Sequence, residues 1–317
     1  MEKSKMLSIV LLSYFSENRI QWVYEQVKSV METEQIPFEL IIIDDGSKDN
    51  SFEVACKVEK KDSRVHAFQL SRNYTSHYAR FAGLSKCKGA CAVGIPDDLQ
   101  TPLEVVVKMY RLWESGNKII VPFRATRNDG IISDMFSKMY YGIMNAISDV
   151  NFPKGGADGF MIDREIIDIL NAEIHPINTS TIVEVLRLGF DPVFIPFHRP
   201  PQKTESRWTF KKKLKLASDT IFSSSSFPIK CITGIGFVSV IIAVLSIVIS
   251  IILKFSGNQS LFGLSIPGWT STFVLISFFC GLILFSLGVI AEYIWRIYEE
   301  VKNRPGYIIK NRDDKTN

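Results

Sequence analysis

The chain has 317 residues, of which 46% are apolar and 22% charged, and its mean hydropathy is positive. This composition excludes a disordered segment and a small disulfide-held scaffold, and it is more apolar than that of a soluble enzyme. The net charge is only +4, from 37 basic and 33 acidic residues, which argues against a dedicated nucleic-acid-binding protein. None of the five cysteines forms a CxxC pair, so neither a disulfide framework nor a zinc cluster is predicted, and a reducing compartment fits best.

Short β-branched runs alternate with helix-length amphipathic segments along the N-terminal part, a pattern typical of βαβ units and a mostly parallel sheet. The first apolar run is too short for a signal peptide and predicts a strand. The predicted strands are Leu7–Ser13, Leu40–Ile43, Val65–Leu70, Ala90–Ile95, Lys118–Pro122 and Val193–Phe197. The predicted helices are Asn18–Glu32, Ser51–Lys60, Ser76–Lys86, Pro102–Glu114, Ile132–Ser148, Arg164–Ala172 and Thr179–Leu188.

The apolar excess is concentrated near the C-terminus. Cys231–Leu253 is a run of 23 residues without a charge, which at ~1.5 Å per residue crosses a bilayer core of ~30 Å. A second uncharged stretch, Phe255–Ala291, opens with polar, Gly- and Pro-containing residues and ends in another span-length segment, Ser271–Ala291. Two transmembrane helices joined by a short loop are predicted. The alternative is a pair of core helices in a large soluble domain, but such helices rarely run ~20 residues without a charge.

Basic residues lie on the outer sides of both predicted spans. They are Lys211, Lys212, Lys213, Lys215 and Lys230 before the first span, and Arg296, Lys302, Arg304 and Lys310 after the second. The loop between the spans holds only Lys254. Under the positive-inside rule, both flanks and the N-terminal part are therefore expected in the cytoplasm. The sequons at Asn73, Asn178 and Asn258 are then expected to be unglycosylated.

In an open parallel sheet, ligands bind beyond the carboxyl ends of the strands, and polar clusters follow three of the predicted strands. The first, Tyr14 to Asn18, lacks glycine, which argues against a dinucleotide-binding GxGxxG turn. The second, Asp44-Asp45-Gly46-Ser47-Lys48-Asp49, places two carboxylates and a turn glycine directly after a buried strand. An alternative interpretation, turn and helix-capping residues, stays open for this cluster.

The third cluster contains Asp97, Asp98 and Gln100 and precedes Pro102. A carboxylate at a strand end can hold Mg²⁺ or Mn²⁺ against a diphosphate. Adjacent aspartates in an extended strand point in opposite directions, so one is expected to face the site and the other the backbone or an arginine. The alternative is a cap on the helix that opens at Pro102.

These clusters belong to a longer set of motifs whose order and spacing are specific. The set is Asp44 to Asp49, Leu70 to Tyr74 with Ala82-Gly83-Leu84, Asp98 to Glu104, Ile162-Asp163-Arg164, Glu205-Ser206-Arg207-Trp208, Glu292-Tyr293 and Arg296 to Pro305. With two apolar spans at its C-terminal end, the chain resembles over nearly its whole length the membrane-associated family 2 glycosyltransferases of the dolichol- and polyprenyl-phosphate sugar synthase type.

The resemblance implies an α/β fold, with a GT-A catalytic domain that binds a nucleotide sugar on a Rossmann-like mixed sheet. It implies transfer of a single sugar from a UDP-, GDP- or dTDP-linked donor to a polyprenyl phosphate at the cytoplasmic membrane face, with loss of a nucleoside diphosphate. The enzyme would be metal-dependent, using Mg²⁺ or Mn²⁺, and inverting. It would be an integral protein of a bacterial-type inner or plasma membrane, with no nucleic-acid partner. Oligomeric state stays open, with homo-oligomers through the membrane helices as the expectation.

The resemblance also implies residue roles. Asp98 matches the metal-binding aspartate, and Arg207 and Arg124 match basic positions near the phosphates. Asp158 falls where the family places a carboxylate facing the acceptor. The remaining positions expected in the donor site are Leu12, Tyr14, Glu17, Asp44, Asp45, Asp97 and Gln100. Since a phosphate monoester is mostly dianionic at neutral pH, Asp158 is expected to orient the acceptor without being indispensable. The alternative is an ordinary loop aspartate after two glycines.

Three positions depart from the family pattern. Pro96 stands where the first aspartate of Asp-x-Asp is usual, so metal binding depends on Asp98, with Asp97 as a compensating ligand. Phe160 replaces the usual arginine after the loop aspartate. Arg207 replaces a lysine, which keeps the charge and allows a bidentate grip on phosphate. An altered donor or a weakened enzyme would each fit these changes.

The expected domain order follows from the motifs and the apolar runs. It is a cytoplasmic catalytic domain (1–208), an amphipathic interfacial segment (209–228), a first transmembrane helix (229–253), an extracytoplasmic loop (254–270), a second transmembrane helix (271–295) and a cytoplasmic tail (296–317). In the interfacial segment, Lys211, Lys212, Lys213 and Lys215 interleave with apolar residues, as suits anionic headgroups and an acceptor whose tail stays in lipid. A solvated lysine run is the alternative.

Two other functions stay open. Pro96 and Phe160 are compatible with a catalytically silent membrane partner that keeps the fold for binding. A processive polysaccharide synthase is disfavoured because its Gln-x-x-Arg-Trp motif is incomplete, with Thr204 in place of the glutamine, and because two spans are few for a translocation channel. The sugar, the base of the nucleotide and the polyprenol are not encoded in these motifs.

Overall fold

The computed structural model describes residues 5–125, 142, 145, 150, 152–153, 156–157, 159–177, 179–198, 227–255 and 268–311. The chain divides into two compact units. The first contains Met1–Ser224 and Arg304–Asn317, and the second contains Ser225–Asn303.

The first unit is built on one seven-stranded mixed sheet. The strands are β1 (Leu7–Ser13), β2 (Phe38–Asp44), β3 (Val65–Gln69), β4 (Cys91–Pro96), β5 (Ile119–Arg124), β6 (Met161–Asp163) and β7 (Pro192–Phe197). Their order across the sheet is β3-β2-β1-β4-β6-β5-β7. Only β6 runs antiparallel to its neighbours, β4 and β5, so the carboxyl ends of the other six strands share one edge. We call it the carboxyl edge.

Helices follow most of these strands, as βαβ connections require. They are α1 (Ile20–Thr33), α2 (Ser51–Lys61), α3 (Ser76–Leu84), α4 (Leu103–Glu114), α5 (Arg164–Glu173) and α6 (Thr181–Arg187). Both faces of the sheet are covered by apolar clusters, one including α1, α2 and α4 and the other α3, α5 and α6. The central strands β1 and β2 are buried almost throughout, which explains their unbroken Leu/Ile/Val runs.

The α/β prediction and the six predicted strands are confirmed, with ends shifted by up to two residues. The description of the sheet as mostly parallel omitted β6, whose three residues carry no detectable strand pattern. Three helix ends differ from the prediction by two residues. The helix α1 starts at Ile20, α3 stops at Leu84, where turn bonds such as Lys86 N–H to Gly83 O begin, and α6 starts at Thr181. The predicted helix Ile132–Ser148 lies outside the described residues, apart from two isolated positions.

The second unit contains two long apolar helices, α7 (Phe227–Phe255) and α8 (Gly268–Val301). Within the described residues, one segment, Phe278–Val301, is long and apolar enough to cross a membrane, and none of it is buried. A second apolar segment, Pro228–Ser239, is shorter than a span. The prediction of two spans is therefore supported for one helix and stays a prediction for the other. On α8, Arg296 Nε donates to Glu292 Oε1 at 3.0 Å, an ion pair between residues one helical turn apart.

Candidate active site

The carboxyl edge brings the predicted polar clusters together. In the parallel register, Ser13 at the end of β1 lies beside Asp44 at the end of β2, and Leu12 lies beside Pro96 at the end of β4. The segments that begin at Tyr14 and at Asp97 therefore leave neighbouring strands at the same edge. Three of the sequence clusters thus form one candidate site.

Asp44 holds the turn that follows β2. The residue is fully buried, and its carboxylate accepts hydrogen bonds from the backbone N–H of Ser47 at 3.1 Å and from the Ser47 hydroxyl. The Gln69 side-chain amide also donates to Asp44, with 2.8 Å between Nε2 and Oδ2. These contacts agree with the turn interpretation. Contact of Asp44 with a nucleotide stays a prediction.

Asp45 points in the other direction and holds the loop before α3. Its two carboxylate oxygens accept from the backbone N–H groups of Tyr74 at 2.7 Å and Thr75 at 2.9 Å. Burial raises the pKa of Asp45 to about 6, although both backbone bonds and the charge of Arg72 favour the ionised carboxylate. This side chain therefore positions the loop from inside the fold, and its predicted contact with the donor stays untested.

Gly46 allows the two loops to touch. Its φ of +67° is in the left-handed region, and a Cβ there would lie 2.5 Å from the backbone carbon of Arg72. Only glycine fits this close backbone approach. The turn after β2 and the loop before α3 are thereby held as one surface at the carboxyl edge.

Asp97 pairs with the loop after β1. Its Oδ2 lies 2.8 Å from Nη2 of Arg19 and accepts a short hydrogen bond from the Ser16 hydroxyl, and its side chain is 14% exposed. The arginine partner confirms the expectation that one of the two adjacent aspartates faces an arginine. Because Asp97 neutralises Arg19, its role as a compensating metal ligand loses support.

Asp98 is held by Gln100, whose Nε2 donates to Oδ2 at 2.6 Å. The N-cap residue of α4 is Pro102, so neither aspartate occupies the cap position. Among the described residues, no three His, Cys, Asp or Glu side chains gather as a metal site. A single carboxylate is nevertheless a fitting donor for a divalent cation that takes its other ligands from a diphosphate and water. Asp98 therefore fits a substrate-completed metal site.

Three further predicted residues lie near the end of β1 or on the segment that follows it. Leu12 is a partly buried residue of β1, and the Tyr14 ring packs edge-on against Phe15 with 4.6 Å between centroids. Phe15 is 43% exposed, so this segment presents an aromatic surface to solvent. Glu17 Oε2 accepts from the backbone N–H of Asn50 at 3.1 Å, which links the segment to the turn after β2.

The other predicted residues are not part of this described cluster. Arg124 ends β5 at the carboxyl edge, beside Phe197 of β7. Asp158, Arg207, Lys211, Lys212, Lys213 and Lys215 lie outside the described residues. Their roles stay predictions.

Four residues in the cluster were not singled out from the sequence as site residues. They are Ser16, Arg19, Ser47 and Gln69. Ser47 stands within the Asp44 to Asp49 motif and could have been found there. Arg19 and Gln69 had no local signal, because their partners are 78 and 25 positions away in the chain.

With this geometry established, the chain was compared with known proteins. The sequence model described as Glycosyl transferase family 2 matches residues 8–170, which span β1 to α5 and half of the chain. The chain belongs to glycosyl transferase family 2. The match covers the strand ends and loops that carry Asp44, Asp45, Asp97 and Asp98.

Relatives within the family are similar over almost their full length. The glycosyltransferase YkcC of Bacillus subtilis, described as uncharacterized, is 31% identical over 98% of this chain and 95% of its own. A bactoprenol glucosyl transferase of Shigella flexneri, derived from prophage SfII, is 30% identical over 96% of this chain and 97% of its own. Among solved structures, a glucosyl-3-phosphoglycerate synthase of Mycobacterium tuberculosis in complex with Mn²⁺, UDP-glucose and phosphoglyceric acid is 18% identical. It covers 69% of this chain and 79% of its own, with a TM-score of 0.46.

Proposed function

We propose that this family 2 glycosyltransferase transfers one sugar from a nucleotide-sugar donor to a polyprenyl phosphate. The observation that carries the proposal is the similarity to a bactoprenol glucosyl transferase over 96% of the chain, which includes both the carboxyl-edge cluster and the apolar C-terminal helices. A lipid-borne acceptor suits a chain that joins a polar site to a span-length apolar helix.

The donor is proposed to bind along the carboxyl edge. Tyr14 and its neighbour Phe15 offer an aromatic surface for the base, and Glu17 and Asp44 are the proposed acceptors for hydroxyls of the nucleoside. Asp45 and Gly46 act indirectly, since they hold the loop from Arg72 to Thr75 against this surface. The identities of base and sugar are left to the experiment below.

Asp98, oriented by Gln100, is the proposed ligand for Mg²⁺ or Mn²⁺. When bound there, such a cation would neutralise the charge that collects on the departing diphosphate. Asp97 is proposed to act indirectly. By pairing with Arg19, it holds the loop after β1 next to the turn that carries Asp98. Arg124 and Arg207 are the proposed cationic contacts for the phosphates.

The reaction proposed for this site is a single displacement with inversion. An oxygen of the acceptor phosphate forms a bond to the anomeric carbon while the bond from that carbon to the nucleoside diphosphate breaks. The acceptor needs little activation, because the second pKa of a phosphate monoester is ~6. Asp158 is therefore proposed to orient the acceptor, and Asp158→Asn is expected to stay within severalfold of wild-type turnover.

Membrane attachment is proposed to bring the acceptor to the site. Lys211, Lys212, Lys213 and Lys215 precede α7 and suit an anionic membrane surface. We call the first unit, Met1–Ser224 with Arg304–Asn317, the catalytic unit. It is proposed to be cytoplasmic, since basic residues flank the apolar helices on their outer sides. Association of copies through α7 and α8 is part of the same proposal.

The function is tested by release of nucleoside diphosphate from UDP-, GDP- and dTDP-sugars by the full-length protein in detergent. Each donor is offered with and without undecaprenyl phosphate, and with Mg²⁺, Mn²⁺ or EDTA. Release from one donor that requires both the lipid and the metal is expected. Asp98→Asn is expected to lower the rate by ~100-fold or more, because a metal-bound transition-state charge contributes several kcal/mol.

The matched control is Asp168→Asn, an exposed carboxylate on α5 whose side chain is 64% exposed. It removes one negative charge outside the cluster and is expected to leave the rate unchanged. Release from no donor, with nucleotide or lipid still bound, would favour the catalytically silent partner instead. Products longer than one sugar would favour a processive enzyme.

A further inference from the structure

A second candidate for substrate contact is Arg80, on the inner side of α3. Its side chain runs past Gly94 of β4, where a Cβ would lie only 3.1 Å from Arg80 Nε. The guanidinium carbon then lies 5.2 Å from the centroid of the Phe160 ring. The glycine therefore leaves the space that this arginine occupies.

The head of Arg80 is at the carboxyl edge. Gly94 is two residues before Pro96, after which Asp97 and Asp98 begin. Phe160 directly precedes β6, and because β6 is antiparallel to β4, its first residues lie at the edge where β4 ends. The guanidinium thus lies next to the last residues of β4 and the first residues of β6, and Asp98 follows the same end of β4.

The charge of Arg80 is not neutralised by any part of the chain that the structure describes. Arg80 Nε is buried and has no hydrogen-bond partner there, and no described carboxylate pairs with the guanidinium. The neighbouring His77 stays neutral at pH 7, because burial and the charge of Arg80 lower its pKa to about 4. Burial lowers the pKa of Arg80 only to about 10, so the guanidinium stays charged at neutral pH.

Arg80 is partly buried and its Nε is wholly buried, and an unpaired buried cationic group is costly for the fold, so proteins pair such groups or reserve them for a ligand. The guanidinium gains some stability from the Phe160 ring, but the cation–π contact of a partly buried cation is worth only ~1–2 kcal/mol. A methionine would fill the same slot without the desolvation cost. The retention of a charge here therefore indicates an anionic ligand.

We propose that Arg80 binds a phosphate group of a substrate at the carboxyl edge between β4 and β6. This inference rests on the proposed function. The planar guanidinium can donate two parallel N–H bonds to phosphate oxygens. The phosphate could be the monoester of the lipid acceptor or the diphosphate of the donor, and the experiment separates these sources.

The test compares wild type with Arg80→Met and Arg80→Lys in the full-length protein in detergent. Binding of undecaprenyl phosphate in micelles, and of UDP, GDP and dTDP, is measured directly, together with the thermal unfolding midpoint. Arg80→Met is expected to bind one class of probe at least about tenfold more weakly, because charge-assisted bonds to phosphate are lost. Its midpoint is expected to equal or exceed that of wild type. Weaker binding of the lipid alone assigns the acceptor phosphate, and weaker binding of the nucleotides alone assigns the donor.

Lys86→Met is the matched control, since it also removes one positive charge just after α3 but from an exposed side chain. It is expected to bind both probes within about twofold of wild type. A folded Arg80→Met variant with unchanged binding of both probes would overturn the proposal, and a lowered midpoint would then assign Arg80 a packing role. If Arg80→Met does not fold, Arg80→Lys decides. An ammonium cannot reproduce the bidentate contact, so tenfold weaker binding supports the proposal and unchanged binding overturns it.

These outcomes are distinguishable from failure of the proposed function. A wild-type protein that binds the probes but releases no nucleoside diphosphate would end the transferase proposal and leave the Arg80 comparison valid. A wild-type protein that transfers sugar, with an Arg80→Met variant that binds and turns over normally, would end the Arg80 proposal alone. Wild-type protein that binds neither class of probe would overturn both.

Discussion

At the scale of single residues, the two aspartates of each adjacent pair bind different parts of the chain. After β2, Asp44 holds its own turn through Ser47, and Asp45 holds the loop before α3. After β4, Asp97 pairs with Arg19, whereas Asp98 is bonded to Gln100. Asp44 ends β2, so strand alternation separates its side chain from that of Asp45, whereas Asp97 and Asp98 lie in the turn after β4, which is closed by Leu99 N–H donating to Pro96 O at 3.2 Å. Asp44, Asp45 and Asp97 therefore hold the loops of the carboxyl edge, and Asp98 is the aspartate that we propose to bind the metal.

Asp45 predicts a specific pH dependence of stability. Because burial raises its pKa in the folded protein to about 6, above the unfolded value of ~3.9, its stabilising contribution is complete below about pH 4. That contribution is lost as the pH rises towards 6. Relative to Asp45→Asn, the free energy of unfolding of wild type is expected to fall by roughly 1–2 kcal/mol between pH 4 and pH 7, after discounting for solvent screening.

The measurement is denaturant unfolding of both proteins at a series of pH values, in which the remaining titrating groups cancel in the difference. If the free energy of unfolding of wild type minus that of Asp45→Asn instead rose with pH, the two backbone N–H donors of Tyr74 and Thr75 would have a larger effect on the pKa of Asp45 than burial has. Asp45 would then have to be treated as a carboxylate of lowered pKa.

How much of the site was predictable depended on how local its contacts are. Asp44, Asp45, Asp97 and Asp98 were located because each follows an apolar strand directly in the sequence. For Asp97 and Asp98 the prediction assumed an extended strand, whereas the structure has a turn there, so the pairing of Asp97 with Arg19 agrees with the prediction although its premise does not hold. In contrast, Gln69 and Arg80 act through partners on other strands, and only the order β3-β2-β1-β4-β6 brings these together.

At the scale of elements, α3 packs very closely against the sheet at Gly83. Gly83 faces Val10 of β1 so closely that a Cβ would lie 2.2 Å from Val10 Cγ1. Val10 is fully buried, so neither side has room to move freely. The distance of α3 from β1 also sets where Arg80, one turn earlier on the same helix, meets Gly94.

Gly83→Ala is therefore expected to destabilise the catalytic unit by about 1–3 kcal/mol, the usual cost of overpacking a core. Val10→Ala in the same protein is expected to recover part of this loss, since it removes the methyl groups that the new Cβ would meet. Unfolding of the two single variants and the double variant gives the coupling energy. Strictly additive effects would contradict the direct contact.

The length of an element decides how well the sequence predicts it. Long amphipathic helices and buried strands were found with small errors because their periodicity extends over many residues. The strand β6 has only three residues and is recruited by pairing with β4 and β5, so its formation depends on tertiary contacts. That short antiparallel strand nonetheless brings Phe160 to the carboxyl edge.

At the scale of the whole molecule, the chain returns to the catalytic unit after its apolar helices. Arg304–Asn317 belongs to the first unit, and there Ile309 forms an antiparallel bridge with Leu70 beyond the end of β3. Ser71 N–H donates to Ile308 O and Lys310 N–H to Gln69 O, both at 2.8 Å. The tail therefore covers the outer edge of the sheet next to the candidate site.

The C-terminal tail is connected to Asp44 through the side chain of Gln69. Gln69 is 8% exposed, and its amide oxygen accepts from Lys310 Nζ at 3.3 Å while its amide nitrogen donates to Asp44. An uncapped edge strand would expose unpaired backbone groups to other chains. The tail thus has a structural role at the sheet edge and a positioning role for Gln69.

Removal of residues 305–317 is expected to lower the free energy of unfolding of the catalytic unit by roughly 2–4 kcal/mol, from two backbone hydrogen bonds and the burial of Ile309 and Tyr307. The shortened protein is also expected to self-associate, because the end of β3 is uncovered. Removal of residues 312–317 alone is the matched control and is expected to change neither property, since it keeps every one of these contacts. Thermal unfolding and size-exclusion chromatography in detergent check both expectations. If the longer truncation left the midpoint and the oligomeric state unchanged, the tail would not stabilise the sheet edge. The hydrogen bond from Gln69 to Asp44 would then not depend on the tail.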